Sequence, residues 1–177
     1  MVSLPFFFML FIILFGIIGA MRGWARELLV AFSVILALFI ISVMENFVPL
    51  VKNILASNAS LLFWVRTLIV IALVFFGYQT PNIPRLAAQN RFARDRLQDI
   101  LLGVFLGALN GWLIIGSIWW YMNAVGYPFS NVISAPSGDA LTLTNQMMLM
   151  MPPALLSSTT IYFAIALAFA FVLIVFI

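Results

Sequence analysis

The sequence predicts an all-α fold: a polytopic transmembrane helical bundle of four to five spans. Three observations carry that prediction. Hydrophobic residues make up 66% of the 177-residue chain and charged residues only 7%, against about 25% charged in a soluble domain. So little charge cannot clothe a water-facing surface, and a mean hydropathy of +1.22 makes the bilayer the solvent. Five apolar runs follow one another, Leu4–Ala20, Leu28–Met44, Leu61–Tyr78, Ile100–Met122 and Ile161–Ile177. At about 1.5 Å per residue each approaches the roughly 30 Å of a hydrocarbon core. The sequence also lacks the short alternating strands of a membrane β-barrel.

The first run has no positive residues ahead of it, and its charges follow the apolar stretch. It is therefore expected to be a retained helix with its N-terminus outside rather than a secretory signal. Connections 21–27 and 79–99 contain Arg22 and Arg26, and Arg85, Arg91, Arg94 and Arg96, which are six of the eight Lys and Arg residues. The positive-inside rule places both connections in the cytoplasm. Trp64, Trp119, Trp120 and Tyr121 then fall at the outer interface, where aromatic belts gather. Pro81 and Pro84 stop the third helix. Arg85 to Leu97 suggests a short basic helix along the inner leaflet, with a plain topology determinant as the equal alternative.

Residues 1–125 thus form a four-helix membrane region and residues 126–160 belong to an extracytoplasmic loop. Residues 161–177 form a fifth transmembrane helix whose alanines, at 164, 166, 168 and 170, offer small faces. The segment Asn123–Thr160, rich in Gly, Pro, Ser, Asn and Thr, is expected to be mostly loop. Within it Met147, Met148, Met150 and Met151 surround Leu149. Thioethers bind Cu(I), but without His or Cys beside them adaptable packing is the favoured use.

The absences bound the chemistry. There is no Cys and no His, which removes disulfides, thiolate sites, the usual haem ligand and the commonest proton relay. Of the five carboxylates, Asp95 and Asp99 lie among arginines and Asp139 lies in the loop. No two acids are placed to act as an intramembrane pair, and a serine nucleophile would have no histidine base. No metal site, catalytic residue or nucleic-acid footprint is expected.

What remains is packing and a few intramembrane polar groups. Gly103, Gly107 and Gly111 recur every four residues in the fourth run, and Gly16 and Gly19 end the first. Small residues at that spacing let another backbone approach, so runs one and four are the expected close pair, within the chain or across a dimer. Asn110 lies inside the glycine face and is expected to fix helix register, or else to line a polar pocket. Arg66 lies just over one turn into the third helix, where snorkelling outward is favoured over pairing with Glu45. Arg22, Arg26 and Glu27 crowd the first turn. They could hold a lipid phosphate, or clamp the second basic connection through Asp95 or Asp99.

Two stretches carry a resemblance. Gly19-Ala-Met-Arg22-Gly23-Trp-Ala-Arg26-Glu27 resembles the G-x-x-R-G-x-x-R-E motif of the CvpA (colicin V production protein) family. The run from Asp99 through Gly103, Gly107 and Asn110 to Gly111 is similar to that family's second motif. Ile100 and Asn110 stand where the family pattern carries arginine. The resemblance covers roughly residues 1–125. It implies a bacterial inner-membrane protein tied to colicin export and envelope physiology, and it marks Arg22, Gly23, Arg26, Glu27 and Asp99 as a cytoplasmic contact for lipid or a partner.

The expected role is that of a non-catalytic accessory or scaffold subunit of a bacterial membrane complex (secretion, envelope or energy-transducing). The alternative is a small-solute or ion channel or transporter formed by a homo-oligomer. Expected partners are membrane lipids, other integral membrane subunits and a further copy of the chain, with no nucleic acid. No cofactor is expected; the 18 phenylalanines could contact lipid, quinone or pigment, without a His ligand to a pigment metal.

Overall fold

The computed structural model describes residues 4–49, 58–79, 93–129, 131–157 and 159–176. They form seven helices: α1 (Leu4–Arg22), α2 (Trp24–Phe47), α3 (Ala59–Tyr78), α4 (Ala93–Ala124), α5 (Asp139–Met148), α6 (Pro152–Leu155) and α7 (Thr160–Phe176). Four of them, α1 to α4, are long and apolar enough to cross a membrane, and the chain is a multi-pass integral membrane protein with an all-α bundle fold. The 17-residue α7 lies along α2 through edge-on ring contacts of Phe39 with Tyr162 and of Phe32 with Phe169, 5.7 and 4.9 Å between centroids. Those pairs run α7 antiparallel to α2.

Local chemistry sets the helix ends. Asn58 caps α3, its side-chain oxygen accepting from the Leu61 N–H at 3.1 Å, which satisfies one of the donors left free at a helix start. At the end of α4 the Tyr127 N–H reaches back to the Met122 carbonyl at 3.0 Å. Gly126, at φ +77°, supplies the left-handed residue that such a six-to-one closure needs. α6 opens on Pro152 and Pro153, the position where a missing N–H costs nothing.

The bundle core is mostly apolar with a few polar side chains buried in it, and its outer surface is apolar as well. α2 is its centre, packed against α3, α4 and α7. Its buried residues Glu27, Val30, Ala31, Val34, Ala37, Leu38 and Ile41 recur at helical spacing along one stripe. Buried beside them are Thr67, Asn110 and Ser117, whereas Phe6, Ile13, Phe76, Leu101, Phe105 and Phe163 are exposed. Water would penalise that distribution; lipid tails favour it.

α1 packs most extensively on α4, and the seam is almost all backbone. A Cβ on Gly19 would collide with the Gly103 carbonyl oxygen and stand 2.7 Å from the Gly107 Cα. One on Gly107 would collide with the Phe15 carbonyl oxygen, and one on Gly111 would lie 2.9 Å from the Phe15 Cβ. Gly16 faces Val104 and Ala108 at ordinary contact distance. The order of these contacts makes α1 and α4 antiparallel.

The structure refines the expected elements. The segment 123–160 is mostly irregular, as expected, but it also holds two short helices, α5 and α6. Thr144 and Met148, one turn apart, bury one face of α5, and Asp139 sits in its first turn where the helix dipole favours a negative charge. Of the methionine cluster, Met148 and Met151 are core residues, the Met151 Sδ lying against Gly116, while Leu149 and Met150 are exposed. The first connection shrinks to Gly23, because α2 begins at Trp24 rather than near Leu28. The proposed basic helix from Arg85 lies largely outside the described residues, and from Ala93 onward the chain is already part of α4.

Replacing Gly107 by Val should destabilise the bundle by about 3 kcal/mol, the upper end of overpacking costs, because the clash is with backbone that cannot repack. Leu101→Val, on the exposed side of the same helix, should stay within about 0.5 kcal/mol. Unfolding of both variants in detergent, followed by circular dichroism, checks the contrast.

Candidate functional site

The most connected polar group inside the spans is the Glu27 carboxylate, which is fully buried. Its position follows from the tight turn before it. Gly23 adopts φ +87° and ψ 154°, a region open in practice only to glycine. The Asp99 carboxylate fills the space where a side chain would go, its oxygens 3.0 and 3.1 Å from an ideal Cβ. Asp99 Oδ1 also accepts the Trp24 N–H at 3.2 Å. A residue of α4 therefore caps the start of α2, supplying the acceptor and the negative charge that a helix N-terminus lacks.

With α2 started at Trp24, Glu27 falls in its first turn and faces inward. Arg22 Nη1 donates to Glu27 Oε1 at 2.8 Å. Asn110 Nδ2 donates both to Glu27 Oε2 and to the Glu27 backbone carbonyl, each at 2.8 Å. Arg22 Nη2 donates to the carbonyl of Tyr78 at 3.3 Å, and the guanidinium lies 4.2 Å above the Tyr78 ring. One cation thus neutralises a buried carboxylate, takes a carbonyl at the C-terminal end of α3 and stacks on an aromatic face. Four helices meet at this cluster: α1 through Arg22, α2 through Glu27, α3 through Tyr78 and α4 through Asn110. Asn110 Oδ1 and the Tyr78 hydroxyl are buried without a hydrogen-bond partner among the described residues.

A second polar pair lies at the other end of the bundle. Arg66 donates from Nε and Nη2 to the two carboxylate oxygens of Glu45, at 2.6 and 3.0 Å, and its guanidinium lies 5.1 Å from the centroid of the Tyr121 ring. The side chain of Arg66 is only 14% exposed. Pairing with Glu45, the less favoured expectation, is what the structure shows, with the Tyr121 ring of α4 beside the guanidinium.

The structure brings Arg22, Gly23, Glu27, Asp99 and Asn110 to one place and leaves Arg26 exposed on the neighbouring surface. Asp99 reaches the turn through the backbone N–H of Trp24, and the side chain of Asp95 lies outside the described residues. Asn110 bonds to Glu27, so its place in the glycine face does not leave it between α1 and α4 alone. Gly16, Gly19, Gly103, Gly107 and Gly111 form the adjoining seam. Tyr78 was missed, since a tyrosine ending an apolar run carries no sign that its ring and carbonyl will receive an arginine from another helix. Among the described residues no group of His, Cys, Asp and Glu could hold a metal ion.

No family model, no curated protein and no solved structure matches this chain.

Chemically the cluster is a neutralised, hydrogen-bonded knot in a low-dielectric setting, where an unpaired group is costly. Asn110→Leu should destabilise the protein by about 1–3 kcal/mol by stripping donors from Glu27. Asn110→Asp, which sets a second carboxylate against the first, should exceed about 3 kcal/mol. Equilibrium unfolding in detergent micelles ranks the two, and equal, negligible effects would contradict the knot.

Proposed function

We propose that this chain is a non-catalytic accessory or scaffold subunit of a bacterial inner-membrane complex, of the CvpA-like type. One observation carries the reading: two carboxylates within the spans, Glu27 and Glu45, are both paired with arginine. Glu27 is held by Arg22 and Asn110, and Glu45 by Arg66. What the bundle presents outward is apolar, with Phe75, Phe76, Leu101 and Phe105 all exposed. Such a surface offers packing to lipid and to other membrane helices. The resemblance supports the same reading, because the matched residues Arg22, Gly23, Glu27 and Asp99 are those that build the knot.

The accompanying orientation has the N-terminus outside and the arginine-bearing connections 21–27 and 79–99 in the cytoplasm. Its support is the asymmetric placement of arginine.

Purification in a mild detergent followed by mass analysis should recover the chain in a stoichiometric complex with other membrane proteins. A lone monomer would count against the scaffold role. Liposomes containing the purified chain should show no ion or solute flux above empty vesicles, and clear flux would favour a channel instead. Reporter fusions at residues 88 and 135 should report cytoplasmic and external locations respectively.

A further inference from the structure

Where α2 ends and α4 approaches its last turns, α6 and the residues after it border a half-open cleft of about 180 Å³, lined among others by Leu38, Ser42, Glu45, Arg66, Leu156 and Ser157. Its size exceeds the roughly 150 Å³ cavity that accommodates a benzene-sized molecule, so it suits a compact group and is far too small for an acyl chain. Its position matters as much. Glu45 lies two residues before the end of α2, and Tyr121 three before the end of α4, so the cleft opens at the level where spans give way to the interface.

The chemistry of its wall is specific. Of the five N–H groups of a guanidinium, two of Arg66 donate to Glu45. Among the described residues no acceptor takes the other three, and the group lines the cleft. The centroid of the Tyr121 ring lies 5.1 Å from the guanidinium carbon, and the ring packs the group against the cleft wall. Glu45, 31% exposed, accepts one bond on each oxygen and keeps lone pairs free for more. The cleft therefore presents a fixed cation and a fixed anion side by side, with no net charge. A simple anion or cation gains little from such a neutral pair, because attraction to one member is offset by repulsion from the other. A ligand carrying both charges is favoured at both ends.

We propose that this cleft binds a phosphate ester bearing a primary ammonium group, the phosphoethanolamine chemistry of an aminophospholipid head. The phosphate oxygens take the remaining N–H groups of Arg66, the ammonium donates to Glu45, and the rest of the wall mixes apolar Leu38 and Leu156 with polar Ser42 and Asn46. Placement at the span ends makes a membrane lipid one source of that head group, and soluble phosphoethanolamine is the other. The site is independent of the scaffold role proposed above and needs only that the chain spans a membrane.

Native mass spectrometry of the full chain, with phosphatidylethanolamine, phosphatidylcholine or phosphatidylglycerol added, tests it. One phosphatidylethanolamine should be retained with a preference of about tenfold, since choline has no N–H for Glu45 and glycerol has no cation. Glu45→Gln should abolish the preference. Ser157→Trp, at an exposed position on the cleft rim, should block the cleft and remove retention while the Glu45–Arg66 pair stays in place, at an unchanged melting temperature. If either variant fails to fold, the other still decides. Displacement of the lipid by soluble phosphoethanolamine at equal concentration would name the free compound as the occupant, and its failure to displace would name the lipid. Equal retention of the three lipids, or a preference that survives both substitutions, would overturn the proposal.

Discussion

A carboxylate sealed inside a membrane bundle has to be neutralised and hydrogen-bonded by the protein itself, because neither water nor lipid can do it. Glu27 imposes that constraint on this fold. Its oxygens require Arg22 from α1 and Asn110 from α4, and Arg22 in turn engages the end of α3. Satisfying one buried charge therefore fixes how four helices sit around a single point. Helix association in lipid lacks the hydrophobic drive available in water, so a polar contact with few solutions is well suited to choosing one arrangement among many.

The glycine seam and the polar knot depend on each other. Asn110 reaches Glu27 from between Gly107 and Gly111, at the place where α4 lies directly against the backbone of α1. Larger residues there would lift α4 away and draw the amide off the carboxylate. Asp99 works in the same way at the turn: it fits only because Gly23 has no side chain, and that glycine's backbone angle is what lets α2 start early enough to turn Glu27 inward. Packing and electrostatics are here two aspects of one geometry.

Much of this architecture was legible in the sequence, because bilayer thickness and hydropathy act on whole segments. The four long spans and the small-residue faces of α1 and α4 come from composition and spacing alone. Other features depend on relations between distant residues and were hidden. Glu27 looked like a turn residue beside two arginines, and nothing local told that Gly23 would shorten the turn and bury it. Arg66 looked like a residue that reaches water on its own, yet a matching carboxylate and an aromatic ring from two other helices receive it. The helix α5 was obscured by a polar composition that resembles loop, although Thr144 and Met148 bury one side of it.

The distance in sequence between Glu27 and Asn110, 83 residues, has a consequence for how the protein is made. During synthesis α1 and α2 enter the bilayer with Arg22 and Glu27 already able to meet, but the amide that completes the site has not yet been translated. At about 5–20 residues per second, the half-satisfied carboxylate waits roughly 4–17 seconds for α4. Throughout that interval the glycine face of α1 also has no partner. The nascent chain thus passes through an intermediate whose two unmet needs are resolved by the arrival of one helix, which makes the emergence of α4 the committing step of assembly.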